Sequence, residues 1–143
     1  MRLAYKLTST LSLPLLIALA IILADQGSKF MLDRWGFEPV FNLGIAFGLL
    51  PSSGWGIASL VIIGGMVVLL LKEIDKLGPI LRVSFGLIIG GGLANLIDRL
   101  YLGSVRDFFL SRFLPAFNLA DLAITIGTVL LIIQGWEKDD GGA

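Results

Sequence analysis

Asp107 and Asp121 are the residues in this chain best placed to do chemistry. Both sit among apolar neighbours: Asp107 is followed by Phe108-Phe109-Leu110, and Asp121 is the only charge within residues 113–136. The sequence contains neither Cys nor His, which excludes disulfides, thiol nucleophiles, Ser-His-Asp triads and the usual Cys/His zinc sites. Acid–base work therefore falls to carboxylates or Lys. Two carboxylates held close together do not both ionise readily, so one keeps a proton while the other stays charged. The charged one can take a proton from a water that attacks a peptide carbonyl. The protonated one can donate to the carbonyl oxygen and later help the amine leave. Such a pair requires no metal, no cofactor and no covalent intermediate. The two aspartates are 14 residues apart, about 21 Å along one straight helix, so they share a site only if the chain folds back between them. Pro115 and the turn-prone Gly103-Ser104 supply places for a break. Asp121 would then begin a helix, with Asn118 available as its N-cap. A purely structural reading also stands, because the dipole at a helix N-terminus favours a carboxylate.

The elements that must position this pair are those of a membrane protein. The chain has 143 residues, 56% hydrophobic and 15% charged, with mean hydropathy +0.90, whereas a soluble domain carries nearer ~25% charged residues. Its length suits one domain, residues 1–143. Eleven basic and eleven acidic residues cancel, so no basic excess points to nucleic acid. A membrane-crossing helix needs ~20 mostly apolar residues. Apolar runs predict four spans, roughly 7–26, 54–72, 79–97 and 119–137, the third interrupted near its start by Arg82, whose long side chain can snorkel. Arg2 and Lys6 would also suit the n-region of a cleavable signal peptide, but polar motifs directly after the first run and three further spans favour a retained helix. Gly64-Gly65, Gly86 and Gly90-Gly91-Gly92 allow helices to approach closely. The fold class expected is an all-α membrane protein, a bundle of four transmembrane helices.

Four spans place loops 27–53 and 98–118 on one membrane face, and the unusual polar residues gather there. They are Asp25, Gln26, Ser28, Lys29, Asn42, Asn95, Asp98, Arg99, Asp107, Asn118 and Asp121. The other face receives ordinary headgroup and solvent charge. Basic residues divide six to five between the terminal face and the polar face. Setting aside Lys29, Arg99 and Arg106 as site candidates leaves six against two, which puts both termini in the cytoplasm and the polar end outside. Trp35 and Trp55 fit an aromatic belt at the outer interface and Trp136 at the inner one. Alternation over residues 40–47, beside Pro39 and glycines, reads as a small β element at the surface, and residues 98–118 are apolar enough to form an interfacial segment. Lys29 lies four residues from Asp25, so that pair can brace the end of span one. Asp98 beside Arg99 suits a structural salt bridge as well as a catalytic role, and Asn42 suits a turn. On residue chemistry alone three readings stay open: an aspartic hydrolase, a small transporter with a proton relay, and an assembly subunit with glycine-rich packing faces. The gathering of charge at one end counts against a path across the membrane.

Five strings resemble the signature blocks of the lipoprotein signal peptidases, or signal peptidase II. Asp25-Gln26-Gly27-Ser28-Lys29 is similar to D-Q-x-[ST]-K, and Phe41-Asn42-Leu43-Gly44-Ile45-Ala46-Phe47 to F-N-x-G-x-A-F. The string from Gly91 through Asn95 to Asp98-Arg99 is similar to G-N-x-x-D-R, Gly103-Ser104-Val105-Arg106-Asp107-Phe108 to G-x-V-x-D-F, and Phe117-Asn118-Leu119-Ala120-Asp121 to F-N-x-A-D. All occur in family order. The resemblance implies an aspartic endopeptidase of the bacterial cytoplasmic (inner) membrane, multi-pass, with its site near the extracytoplasmic face. It implies Asp107 and Asp121 as the catalytic dyad, and Asp25, Lys29, Asn42, Asn95, Asp98, Arg99 and Asn118 as substrate-binding or supporting residues. The implied substrate is a prolipoprotein whose Cys carries diacylglycerol, cut just before that Cys. The implied partners are membrane lipid and a globomycin-type inhibitor, the implied state is a monomer, and no metal or cofactor is called for. Departures from the family are Gly48 in place of a frequent Ser, Ile45 in place of Ala, and Arg106 where an apolar residue is common. Arg106 would either depress the Asp107 pKa or point to lipid headgroups.

Overall fold

The apolar runs fold as four helices: α1 (Arg2–Arg34), α2 (Trp55–Glu73), α3 (Pro79–Leu102) and α4 (Leu119–Asp140). Two short strands complete the order, β1 (Val40–Asn42) between α1 and α2 and β2 (Val105–Asp107) between α3 and α4. The structure is a computed structural model that describes residues 2–43, 55–73 and 76–140, with side chains over 11–43, 59–73 and 76–135. The expectations for Gly44, Ile45, Ala46, Phe47 and Gly48, and for the side chains of Arg2, Lys6, Trp55 and Trp136, lie outside those residues. Among the described residues, two helical segments are long and apolar enough to cross a membrane, Leu11–Arg34 and Pro79–Leu102, and Leu119–Gly135 is a shorter apolar helix.

Polarity is arranged inside out relative to a soluble domain. Large apolar side chains are exposed along α1 (Leu15, Leu16, Leu19, Leu23), α2 (Leu60, Val61, Ile62) and α4 (Ile126, Val129, Ile132, Ile133). Asp25, Lys29, Asn95, Asp98, Asp107 and Asn118 are buried. Continuous apolar surface on this scale calls for a lipid or protein covering, and polar groups in such a chain turn inward to find partners.

Helix α3 is the central element and packs against all three other helices, most extensively against α4 and α1. Small residues make this possible. A Cβ on Gly86 would stand 2.8 Å from the Pro14 carbonyl oxygen, and one on Gly90 would stand 2.7 Å from the Ala18 Cα, so the Gly86-x-x-x-Gly90 face lies directly on the α1 backbone. On the other side, a Cβ on Gly91 would stand 2.5 Å from the Ala120 carbonyl oxygen in the first turn of α4. Helix α3 ends at Gly103, whose left-handed φ of 73° is one that other residues rarely adopt and whose N–H donates to the Arg99 carbonyl at 3.0 Å. The reversal feeds directly into β2, which pairs antiparallel with β1 in the register Val40↔Asp107, Phe41↔Arg106 and Asn42↔Val105.

Two boundaries differ from the sequence reading. Helix α1 continues two turns past residue 26, to Arg34, so the loop expected from residue 27 begins only at residue 35. Residues 27–34 contain no Pro, and two of their charged members find partners on later elements, Lys29 with Asp98 on α3 and Asp33 with Arg106 on β2. Helix α3 likewise runs on to Leu102, keeping Asp98 and Arg99 helical. In the β element, the described strand is confined to Val40–Asn42.

Candidate active site

Asp107 ends β2, and the strand's alternation turns Val105 and Asp107 inward while Arg106 faces the other way. A hairpin then returns the chain. Phe109 and Phe117 exchange backbone hydrogen bonds of 2.9 and 3.1 Å, and their rings stack 5.5 Å apart. This fold-back brings Asn118 to the head of α4, where its Oδ1 accepts from the Asp121 N–H at 2.9 Å and the Asp121 Oδ2 accepts from the Asn118 N–H at 3.2 Å. The reciprocal pair is a capping box with Asp at its fourth position.

Asn118 is also the bridge between the two carboxylates. Its Nδ2 donates to Asp107 Oδ1 at 2.7 Å and to Asn95 Oδ1 at 3.0 Å. Asn95 on α3 in turn donates to Asp121 Oδ1 at 2.9 Å. Asn42 donates across the sheet to Asp107 Oδ2 at 3.0 Å, so it is a strand residue aimed at the site and not the turn residue that its type suggests. Burial pushes the Asp107 carboxyl up to about 6; the Asn42 and Asn118 hydrogen bonds oppose this, and the negative charge of Asp121 adds to it. Arg106 does not depress it. Asp121, Asn95 and Arg99 line a cavity of about 290 Å³ whose walls are otherwise mostly apolar: Ile62, Ile63 and Met66 of α2, Ile88 and Ile89 of α3, and Ile124 of α4.

A buried ionic layer lies beside the pair. Lys29 Nζ is 2.7 Å from Asp25 Oδ2 and 3.1 Å from Asp98 Oδ2. Asp25 Oδ1 accepts from the Ala120 N–H at 3.0 Å, which anchors the α4 terminus to α1. Asp98 therefore has Lys29 and Arg106 as ion-pair partners. Arg106, expected near Asp107 or the lipid headgroups, instead pairs with Asp98 at 3.0 Å and with Asp33 at 2.7 Å, and donates to Gln26 Oε1 at 3.3 Å. Burial works against its charge, but the bonds and charges of Asp98 and Asp33 outweigh that and raise its pKa. Asp33 was not singled out on sequence grounds, and Gln26 was placed in the polar group without a role. Their spacing carried a signal, since residues 26, 29 and 33 recur at the helical period and form one stripe with Asp25. Among the described residues, no group of three or more acidic side chains is arranged to hold a metal ion.

Residues 17–137 match the family described as Signal peptidase (SPase) II. A lipoprotein signal peptidase of Moorella thermoacetica is 38% identical over 136 residues, covering 84% of this chain and 90% of that protein. One from Pseudomonas aeruginosa is 37% identical over 121 residues, covering 77% and 71%. A solved structure titled as a bacterial membrane enzyme determined by the in meso method at 2.3 Å superposes with a TM-score of 0.75 at 26% identity, covering 91% of each chain. A second of the same description at 1.9 Å gives 0.66 at 27% identity, covering 85% and 90%. With its buried carboxylates, its apolar helices and this likeness along most of its length, the chain belongs to the signal peptidase II family of bacterial membrane proteases.

Proposed function

We propose that this protein is an aspartic endopeptidase that removes the signal peptide from diacylglyceryl-modified prolipoproteins, cutting just before the lipidated Cys, with Asp107 and Asp121 as its catalytic dyad. The observation that carries the reading is Asn118, which holds both carboxylates from one side chain and backbone beside a cavity with apolar walls. The pair titrates as a unit and shares one proton. Its charged member accepts a proton from water as the oxygen attacks the scissile carbonyl. Its protonated member donates to the carbonyl oxygen, and the tetrahedral intermediate collapses as a proton passes to the amine. Asn95 and Asn118 orient the carboxylates, and Arg99, which lines the cavity, holds substrate carbonyls. Asp25, Lys29 and Asp98 brace the helix ends that carry the site, and Asn42 fixes Asp107 from β1.

The same reading makes the four helices four spans, with the strands and hairpin on the extracytoplasmic side and both termini cytoplasmic. Burial of Lys29 and engagement of Arg106 in ion pairs support leaving them out of the charge count that orients the bundle. The same reading takes the protein as a monomer. A gel-shift assay on purified lipidated prolipoprotein tests the reading. Asp107→Asn and Asp121→Asn should each abolish cleavage while leaving folded protein in the membrane, and globomycin should block the wild type. Undiminished cleavage by both variants would overturn it.

A further inference from the structure

We propose that Arg106 is a positioning residue for Asp107: clamped between Asp98 on α3 and Asp33 on α1, it ties β2 down from the face opposite the carboxylate and so fixes where that carboxylate stands. The inference rests on the reading of Asp107 as catalytic. A strand of three residues has too few ladder bonds to hold itself in place, and its one partner strand is equally short. Asn42 and Asn118 hold the carboxylate end of β2, and Arg106 holds the strand from its other face, through both its backbone and its side chain. Its N–H donates to Asp98 Oδ2 at 3.0 Å, and its carbonyl accepts from Asn118 Nδ2 at 3.4 Å. Its guanidinium reaches Asp98 through Nε at 3.3 Å and Nη2 at 3.0 Å, and Asp33 through Nη1 at 2.7 Å. A planar fork of fixed donors is suited to such a junction in a way that an ammonium is not. Because side chains alternate along a strand, any slip or twist at Arg106 is passed directly to Asp107.

The outer anchor explains the length of α1. Asp33 lies four residues beyond Lys29 and seven beyond Gln26 on the same helical stripe. The two extra turns of α1 thus carry the pattern of polar contacts upward: Lys29 and Gln26 meet Asp98 at 3.1 and 3.0 Å, and Asp33 meets Arg106. Asp33 is 38% exposed and makes no contact with either dyad carboxylate among the hydrogen bonds described, so its effect on catalysis passes through Arg106.

The test is steady-state cleavage of a lipidated prolipoprotein by the full-length protein in detergent, with kcat and KM separated and each variant's melting curve recorded. Arg106→Gln should lower kcat by about tenfold or more, since small misplacements of a reacting group are expensive, with KM within twofold of wild type. Arg106→Lys, which keeps the charge and loses the fork, should recover only part of that loss. Asp33→Asn, at a half-exposed position that folding tolerates, should lower kcat by about threefold, and Asp33→Glu should restore it. In an Arg106→Gln background, Asp33→Asn should have no further effect on kcat. Wild-type kcat in folded Arg106→Gln, or an undiminished effect of Asp33→Asn in that background, would overturn the proposal. Wild-type cleavage by Asp107→Asn would instead overturn the assignment of Asp107, whatever the Arg106 variants do.

Discussion

Replacing Asn118 separates two jobs that one side chain performs. It is buried, with 1% of its surface exposed. Its Oδ1 caps α4 by accepting from Asp121 N–H at 2.9 Å, and its Nδ2 donates to Asp107 Oδ1 at 2.7 Å. Asn118→Ala removes both. Loss of an N-cap costs about 1 kcal/mol, and loss of a hydrogen bond to a charged group about 1.5–3 kcal/mol, so the variant should be destabilised by about 2.5–4 kcal/mol in total. Asn118→Ser keeps a hydroxyl that can cap the helix but has no reach to Asp107. It should recover about 1 kcal/mol of stability and none of the effect on the carboxylate. The sign of that effect follows from the bond. Nδ2–H favours the ionised form of Asp107, whose pKa burial has already pushed up to about 6. Without the donor the carboxylate holds its proton to higher pH, and a bond of about 1.4 kcal/mol corresponds to about one pH unit. The pH window of cleavage should therefore move alkaline by about that amount in both variants, so that the ratio of activity at pH 8 to activity at pH 6 exceeds the wild-type ratio. The measurements are kcat/KM by gel shift across pH 5 to 9 (an experimental range of about four units, chosen to bracket the dyad) and thermal melts in detergent. An unmoved window in both variants, or equal stability of the Ala and Ser variants, would refute the assignment of two separable roles.

Three further outcomes are expected. Asp107 has a raised carboxyl pKa, about 6 against 3.8, so its contribution to stability is complete below pH ~4 and is lost as pH rises through ~6. Melts of Asp107→Asn against wild type should thus shift in the variant's favour between pH 4 and pH 8, by up to about 3 kcal/mol. Gly91→Ala sets a Cβ 2.5 Å from the Ala120 carbonyl oxygen and should cost about 1–3 kcal/mol with a loss of cleavage, whereas Gly27→Ala, with nothing within 4 Å, should be neutral or stabilising by up to about 1 kcal/mol. Asp25→Ala strips the fully buried Lys29 of its 2.7 Å partner and Ala120 N–H of its acceptor, so melts should show a loss of about 3–5 kcal/mol.

Much of this arrangement was legible in the residues. Apolar runs predict the four helices, because in a chain this apolar the period and length of such runs leave few other structures. The grouping of polar residues at one end followed from the parity of the runs alone. Bringing Asp107 and Asp121 to one end required a break between them, marked by Pro115 and the cap at Asn118, while Gly103 marked the earlier turn from α3 into β2. What could not be read was direction. Arg106 stands next to Asp107 in sequence yet faces away from it, because strand alternation separates neighbours that a helix would set about 100° apart. The extension of α1 was hidden for a related reason. Residues 27–34 are polar enough to read as loop, and the ion pairs of Lys29 with Asp98 and of Asp33 with Arg106, on elements far along the chain, make the helix the better structure.

The chemistry of the donors explains why the site has two layers. Asp107 and Asp121 receive hydrogen bonds from the amides of Asn42, Asn95 and Asn118. Amides fix position without adding positive charge, and so leave the pair free to keep a proton. Cations set directly on the two oxygens would favour both ionised forms and remove the acid that the proposed mechanism needs. Lys29 and Arg106 are therefore most useful where they stand, neutralised by Asp25, Asp98 and Asp33 and holding helix ends and strand in register. Arg99 lines the cavity beside Asn95 and Asp121, which is why the proposed mechanism gives it the substrate carbonyls. The ion pairs hold the scaffold and the amides hold the carboxylates, and Asn95 and Asn118 link the two aspartates by bonding to each other, to Asp121 and to Asp107.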